Sequence, residues 1–529
     1  MATPTTLQNG TAPTVYLETF GCQMNELDSE LVTGQLLALG YRFTSSRDDA
    51  DVVLFNTCSV RAQAENKVLS RVGRLKQEKA AGRRVVVGLL GCLAEREGDS
   101  MLVTRPEVDL LCGPGELDRL PFLLDNLMRC ESLDVHERVA LQGSRSRRST
   151  TLSAAEDGLE SLDLSRAFDP EGAAAGGRTA YVRITRGCNK FCTYCVVPNT
   201  RGAEVHRPPD AIVEECRSLA DQGVIEVTLL GQTVNHYVYV HGAAISVHGV
   251  EAPQVGPGLA AFRREDRGAG GRRVTTFADL LHRIHEAVPE IQRLRFVTSY
   301  PRDFGDDILH VIRESDRICP YLHVPAQSGS DRILKLMNRG YTVGDYREFI
   351  DRVQAILPDA GIAGDFIVGF PTETDADFEQ TCALVRSIPF KNNFVFKYSP
   401  RPGTVAIEKY PDDVPEAIKR ARINELLAVQ SEVSRSVHER EIGKTHRVFV
   451  EKEGQSGRSA ATRVELGWES PRVQLSGRTP GDLIAVFECP EGQSPGDLIG
   501  RIVEVRVDSA SPRLLVGHLD PCEAGNPAW

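Results

Sequence analysis

The chain has 529 residues, of which 62 are Lys or Arg and 73 are Asp or Glu, giving a formal charge of −11; 41% of residues are hydrophobic and 26% charged. Those proportions are ordinary for globular proteins and exclude disorder throughout, and at ~100–200 residues per domain the length predicts roughly three to five domains. No apolar run approaches the ~18 residues that cross a bilayer, and residues 1–13 are polar without the layout of a signal peptide. The expectation is a cytoplasmic protein with no membrane partner.

Residues 1–13 are expected to be disordered and 14–135 to form a first domain. Val15–Phe20 is a β-rich run that stops at Gly21-Cys22, and Asn25–Leu39 has helical apolar spacing ending at Gly40. Asp51–Phe55 is a second buried strand, stopping just before Cys58, and a basic amphipathic helix follows to about Lys79. Arg84–Leu90 is a third strand that stops at Gly91-Cys92. This βαβαβ pattern predicts a parallel sheet with right-handed crossovers, and such sheets bind ligands at the carboxyl ends of their strands. Three successive strands therefore bring Cys22, Cys58 and Cys92 to one edge, and three thiolates in one crevice make a cluster-binding site. Cys112 also follows a strand-like run, but it reads as a buried small hydrophobe outside that set. Residues 61–84 carry eight basic side chains, among them Arg61, Lys67, Arg71 and Arg74, against two acidic ones. Such a stretch is either a solvated helix face or a patch that tracks phosphates.

Residues 136–178 hold few large apolar residues and read as a linker. From 179 to 440 six strand candidates alternate mostly with helices: Tyr181–Arg186, Glu226–Leu230, Arg293–Thr298, Pro320–Pro325, Ile362–Val368 and Asn393–Lys397. Six βα units fall short of the eight of a full barrel, so a partial (β/α)6 barrel is predicted. A Gly-, Arg- and Ala-rich stretch at about 240–275 reads as a disordered insertion. Ile418–Arg440 is a long helix, and 441–520 holds five short strand candidates separated by Gly and Pro turns, a small β-barrel of the oligonucleotide-binding kind. Residues 521–529 are a tail. The fold class is thus α/β and multidomain.

Thirteen cysteines in a reducing compartment point to metal or redox chemistry rather than disulfides. Cys188, Cys192 and Cys195, spaced C-x3-C-x2-C, follow the first barrel strand, at the edge where active sites form. Three thiolates on one tight loop hold three irons of a four-iron cluster and leave the fourth open. Zinc is the alternative, but a structural zinc site closes with a fourth Cys or His, and the next candidate, His206, is eleven residues on. A redox pair would use Cys192 and Cys195 and leave Cys188 without a role.

This three-cysteine spacing, with an aromatic (Tyr194) before the last cysteine, resembles the signature of the radical S-adenosylmethionine superfamily. The resemblance extends to its methylthiotransferase family over about residues 14–518. It is carried by Glu18-Thr-Phe-Gly-Cys22-Gln-Met-Asn25, Asn56-Thr-Cys58-Ser-Val60-Arg61, Gly91-Cys92 and Leu230-Gly-Gln232. His323-Val-Pro-Ala-Gln-Ser-Gly-Ser330, Met337-Asn-Arg-Gly-Tyr341, Asp365-Phe-Ile-Val-Gly-Phe-Pro371 and Tyr398-Ser-Pro-Arg-Pro-Gly-Thr404 continue it. The residues around Cys22 and Cys58 look like the branch acting on isopentenyladenosine in tRNA; sister branches act on threonylcarbamoyl-adenosine or on a ribosomal protein aspartate. Asn199 stands where family members usually carry an aromatic, and the 240–275 insertion is longer than usual.

The resemblance implies two 4Fe-4S clusters, one on Cys188, Cys192 and Cys195 with S-adenosyl-L-methionine at its open iron, the other on Cys22, Cys58 and Cys92 as the sulfur source. Radical chemistry from the cofactor would activate C2 of adenosine 37 in the anticodon loop, and a second S-adenosylmethionine would supply the methyl group. Tyr194, Gly231, Gln232 and Asp365 are the candidate cofactor contacts; Gln232 reads equally as a turn cap, Asp365 as a satisfied carboxylate, and His323 as a pocket or core histidine. The C-terminal barrel resembles a tRNA-binding TRAM domain, though its charges nearly balance. An external electron donor of the flavodoxin or ferredoxin class and a monomeric state complete the expectation. The rivals are a methylthiotransferase acting on protein and a non-catalytic iron–sulfur carrier.

Overall fold

A computed structural model describes residues 12–59, 62–129, 133–143, 159–164, 166, 177–243, 246–247, 250–256, 273–454 and 473–519. The expected disordered start, apart from its last two residues, Arg61, and the 521–529 tail lie outside the described residues.

The first domain is a six-stranded sheet, wider than the three strands visible in sequence. Its strands are β1 (Thr14–Phe20), β2 (Arg42–Phe43), β3 (Val52–Thr57), β4 (Val86–Leu90), β5 (Leu110–Cys112) and β6 (Val139–Ala140), in the order β2-β1-β3-β4-β5-β6. Every pairing is parallel. Alternation along β3 sorts the core: Val52 and Leu54 pack with Leu27 and Leu31 of α1 (Gln23–Ala38), whereas Val53 and Phe55 pack with Val68, Val72 and Leu75 of α2 (Ala62–Ala80). With helices on both faces β4 and the first four residues of β3 are apolar or glycine, as buried parallel strands require.

The linker expectation for 136–178 needs correction on its described parts. Val139–Ala140 extends the sheet by pairing with Leu111 and Cys112, and Leu159–Leu164 is a helix whose Asp163 is buried. Charge holds this helix down: Arg183 donates to both Asp163 oxygens at 2.7 and 2.8 Å, and Arg207 donates to Glu160 at 2.9 Å. Residues 144–158 and 167–176 lie outside the described residues.

The second domain opens with β7 (Thr179–Arg183) and a small antiparallel pair, β8 (Thr185–Arg186) and β9 (Val205–His206). Its parallel strands continue with β10 (Glu226–Leu230). After the insertion come β16 (Arg293–Phe296), β17 (Tyr321–His323), β18 (Gly361–Val368) and β19 (Phe390–Lys397). They form two three-stranded sheets, β16-β10-β7 and β17-β18-β19, joined by a parallel bridge between Leu294 and Ile318. The six-strand curve is therefore open between β7 and β19, and one apolar core fills it. The helix Glu416–Glu439 packs along β19.

The 240–275 segment is not a disordered insertion over its described residues. Between β10 and β16 the chain forms β11 (Val238–Val240), β12 (Ser246–Val247), β13 (Val250–Glu251), β14 (Gln254–Val255) and β15 (Val274–Thr276). β11 pairs with β15 and β14 with β9, and the Gln254 side chain exchanges hydrogen bonds with the Val240 backbone at 3.0 and 2.6 Å. Tertiary pairing, not local composition, orders it. Residues 257–272 lie outside the described residues.

The C-terminal domain is a closed barrel of β20 (Thr445–Glu453), β21 (Gln474–Arg478), β22 (Ile484–Glu488), β23 (Ile502–Ala510) and β24 (Leu515–Leu519), in the order β20-β21-β22-β24-β23. β23 begins only at Ile502, because Pro495–Leu498 is a helical turn with a capping box on Ser494. Its Thr479–Asp482 turn docks on the amino-terminal ends of the second domain's strands. Arg293 donates to Thr479 O at 3.0 Å, and Asp482 accepts from Arg295, Lys391 and, at 3.0 Å, Arg478. The opposite ends stay free for the loops that follow the strands.

Candidate metal centres

The register of the first sheet aligns three strand ends. Phe20 pairs with Thr57 and Asn56 with Leu90, and Cys58 N donates to Phe20 O at 3.0 Å. Cys22, Cys58 and Cys92 each follow one of these ends, Cys22 as the N-cap of α1 and Cys92 as the first residue of α3 (Cys92–Glu97). Helix N-termini favour thiolate there. Glycine permits the close approach: Gly21 has φ +128°, and a Cβ built on it would lie 2.2 Å from Cys58 Cβ. Beneath the thiols lies a buried amide network. Asn56 donates to Asn25 O at 2.9 Å and to Ser29 Oγ at 3.0 Å, and Asn25 donates back to Asn56 Oδ1 at 3.3 Å.

Arg201, from the second domain, reaches into this crevice and donates to Asn25 Oδ1 at 2.8 Å and Asp28 at 2.7 Å. A hydrogen bond with Cys58, aided by Arg201 and opposed by burial, lowers the Cys22 thiol to about 6. Burial raises Cys92, with Arg201 opposing. Cys112 is different: its thiol donates to Glu116 O at 3.2 Å, and burial, then the nearby carboxylates, push it well up.

The second trio sits on the loop after β8. Gly187 at φ +71° lets the loop turn where a Cβ would lie 2.0 Å from Ala203 O. Lys190 N donates to Cys188 Sγ at 3.5 Å, and Cys195 N to Cys192 O at 3.0 Å. The loop is pinned from across the barrel: Thr193 N donates to Met337 O at 3.0 Å, and Asn338 Nδ2 to Phe191 O at 3.0 Å. Burial raises Cys188 well up and Cys195 to about 12, and the charges of neighbouring cysteines raise both further. Two buried thiols and a partly buried one, crowded so that Cys188 and Cys195 resist ionisation, form a site that cationic metal completes, since coordination deprotonates the thiol. The donor sets of both trios fit iron–sulfur clusters on this chemistry.

The two trios are neighbours. The charge on Cys92 acts on Cys195, those on Cys22 and Cys92 act on Arg201, and α3 packs against the short helix Val197–Thr200 that follows Cys195. Arg339, which sequence reasoning passed over inside Met337–Tyr341, donates to Cys192 Sγ at 3.3 Å. It is buried, its other partners are Pro325 O at 3.0 Å and Tyr341 Oη at 2.8 Å, and its guanidinium lies over the rings of Tyr300 and Tyr341. Among the described residues no carboxylate bonds it, and the sulfur it faces becomes anionic when it binds metal. Its signal in sequence was faint, one Arg in a matched segment with no helical or strand period.

The other candidate contacts come from separate elements of the second domain. Tyr194 is half-buried and packs on the cluster of Ile333, Met337, Phe370 and Tyr398. Gly231 is buried at the end of β10, where a Cβ would lie 2.2 Å from Thr185 Oγ1; Gln232 beside it is half-buried. Asp365 in β18 and His323 in β17 meet at 3.1 Å, both partly exposed, so Asp365 is a carboxylate with a partner and His323 is not sealed in the core. Of the basic stretch, Arg71 pairs with Glu18 at 3.2 Å, and Lys79 and Arg83 pair with Asp109 and Glu78. Asn199 donates to Gly403 O at 2.7 Å.

Residues 14–113 match the uncharacterized protein family UPF0004, and residues 182–385 match the radical SAM superfamily. A solved structure of a radical S-adenosylmethionine methyltransferase, TsrM, from Kitasatospora setae covers 75% of this chain and 78% of that one, with 16% identity and a TM-score of 0.46. The tRNA-2-methylthio-N(6)-dimethylallyladenosine synthase of Burkholderia mallei is 38% identical over 96% of both chains. That of Rhodopirellula baltica is 40% identical, again over 96% of both. With likeness at that level sustained from end to end, the chain belongs to the tRNA-2-methylthio-N(6)-dimethylallyladenosine synthase family.

Proposed function

We propose that the protein converts N6-(dimethylallyl)adenosine at position 37 of tRNA to its 2-methylthio derivative. The observation that carries this is the pair of three-cysteine sites opening side by side at the carboxyl ends of two sheets, in a chain whose full-length relatives carry the synthase name. When bound, two 4Fe-4S clusters and S-adenosyl-L-methionine supply the radical, the sulfur and the methyl group for a carbon whose hydrogen no side-chain base could remove.

The chain's own residues position and shield. Cys188, Cys192 and Cys195 would hold the cluster that takes the cofactor, and Cys22, Cys58 and Cys92 the cluster that takes the sulfur role. Tyr194, Gly231, Gln232 and Asp365 are the proposed contacts to the cofactor; Gly231 supports this by leaving backbone open to close approach. Arg339 stabilises negative charge at Cys192, and Arg201 does the same between the trios. An unpaired anticodon-loop adenine could enter extruded, with phosphates met by α2 and by the C-terminal barrel. We also assign the protein to the cytoplasm, as a monomer served by a small one-electron donor. Among the described residues no helix is long and apolar enough to cross a membrane.

Nucleoside analysis of tRNA from a deletion strain tests the reading. The 2-methylthio modification is lost, and returns with the wild-type gene but not with Cys58→Ala or Cys192→Ala. Full modification in the deletion strain would refute it.

A further inference from the structure

Beside the second trio lies a cluster that neither iron–sulfur site uses. Glu204 and His206 are two residues apart on the extended segment entering β9, so their side chains share a face. His236 ends the turn Val234–His236 that follows β10. All three are at most 1% exposed. One ligand atom from each residue can be chosen so that all lie within 4.8 Å of one another. We propose that Glu204, His206 and His236 bind a divalent transition-metal ion of the zinc class, a site separate from the iron–sulfur clusters.

Hydrogen bonding supports this. Val238 presents its carbonyl at 2.8 Å and its N–H at 3.0 Å to His206 Nδ1. When Nδ1 donates to the closer carbonyl, Nε2 carries a lone pair. Among the described residues that buried nitrogen has no aligned hydrogen-bond partner, and it faces Glu204 Oε1 at 3.3 Å. With the proton on Nδ1, these two lone-pair atoms repel unless a metal cation lies between them. A histidine whose Nδ1–H bonds a backbone carbonyl while Nε2 points inward has the orientation of a metal ligand.

Charge argues the same way. A buried carboxylate needs a positive partner. Burial alone would raise Glu204, and His206 and His236 instead hold it well below the usual carboxylate range; the Glu204 charge in turn raises Cys188, after burial. His236 Nδ1 sits 2.7 and 2.8 Å from the two carboxylate oxygens, and Thr233 donates to Oε1 at 3.3 Å. Two imidazoles and one carboxylate are the donors zinc accepts.

The insertion closes the site. β14 pairs with β9 across His206, Gly256 N donates to Glu204 O at 2.7 Å, and a Cβ on Gly256 would lie 2.7 Å from His206 Nε2, so glycine there keeps the space beside that nitrogen. Bound metal would tie the turn after β10 to the segment that also fixes the Cys188 loop, where Cys188 N donates to Gly202 O at 3.2 Å.

The test is elemental analysis of anaerobically reconstituted, desalted full-length protein. The expected result is about one zinc-class ion per chain beyond the cluster iron, lost at least tenfold in His206→Gln and in Glu204→Gln while the iron count and visible cluster absorption persist. The ion should also persist in a Cys22→Ala, Cys58→Ala, Cys92→Ala triple variant. Cobalt loaded in its place should give visible ligand-field bands that disappear in His206→Gln. Wild-type protein with iron alone would overturn the proposal in favour of an imidazolium–carboxylate cluster, and so would an extra metal that leaves with the cysteines. Neither result bears on the tRNA nucleoside assay, so this site and the proposed reaction fail separately.

Discussion

Gly21→Ala should abolish the first cluster while sparing the fold. A Cβ at position 21 would lie 2.2 Å from Cys58 Cβ, and ordinary contact begins at 3.4 Å, so β1 and the residue after β3 must part by about 1.2 Å. The bond from Cys58 N to Phe20 O, now 3.0 Å, would stretch past hydrogen-bonding range, costing ~1 kcal/mol. Holding alanine at φ +128° adds ~1–3 kcal/mol. A domain with this sheet and two apolar faces tolerates that total. A cluster does not, because metal–ligand distances hold to about 0.2 Å and the thiol would move several times that. Anaerobic reconstitution followed by iron counting should fall from about eight to about four per chain, with circular dichroism preserved and the 2-methylthio nucleoside absent. The control is Gly73→Ala in α2, where an added Cβ meets nothing within 4 Å; helix propensity gains up to ~1 kcal/mol there and iron is unchanged. A full iron complement in Gly21→Ala would refute the packing argument.

Arg339→Gln removes the positive charge 3.3 Å from Cys192 Sγ and should lower the midpoint potential of that cluster by on the order of 100 mV, read by redox titration with electron paramagnetic resonance; an unchanged potential would mean that solvent already screens the charge. Asp482→Ala strands Arg295, Lys391 and Arg478 and should cost ~3–5 kcal/mol, seen as a lower denaturation midpoint and faster proteolytic release of the C-terminal barrel, and a wild-type midpoint would count against the docking role. Arg71→Glu with Arg74→Glu should weaken tRNA binding and reduce the slope of log affinity against log salt by about one for each phosphate that is no longer neutralised. Unchanged affinity at low salt would move the docking surface elsewhere.

The parts of this architecture that were legible in sequence are those that repeat a strong local pattern. Val52–Thr57 is buried at every position, and such a run ending in cysteine declares both strand and site. The edges were illegible because two residues have no period: Arg42–Phe43 and Val139–Ala140 are strands only by virtue of a neighbour. The same holds for Gln254–Val255, whose pairing with Val205–His206 turns an apparently structureless insertion into a cover. Buried charge was the other blind spot. Arg183, Arg201 and Arg207 read as surface residues until Asp28, Glu160 and Asp163 are seen beside them, and those partners lie up to 173 residues away. The basic run of α2 is less charged in the fold than its composition says, since Glu18 and Asp109 from other segments pair with Arg71 and Lys79.

Those buried arginines explain how cysteine sites from two domains keep a common mouth. Arg201 crosses to Asp28, Arg183 spans Asp28 at 3.5 Å and Asp163 at 2.7 Å, and Arg401 crosses to Glu65, which also takes Arg96 at 2.7 Å. Hydrophobic contact alone would let the domains slide, because apolar burial is non-directional. A buried ion pair adds little net stability against an apolar substitute, yet a guanidinium fork fixes distance and angle together. The crossings converge near the strand ends that carry Cys22, Cys58 and Cys92: Asp28 lies in the first turns of the helix Cys22 caps, and Arg96, which with Arg401 grips Glu65, lies in the helix Cys92 begins. In the proposed reaction chemistry passes from one trio to the other and demands orientation to within an ångström, and the chain places its buried charge where that demand would fall.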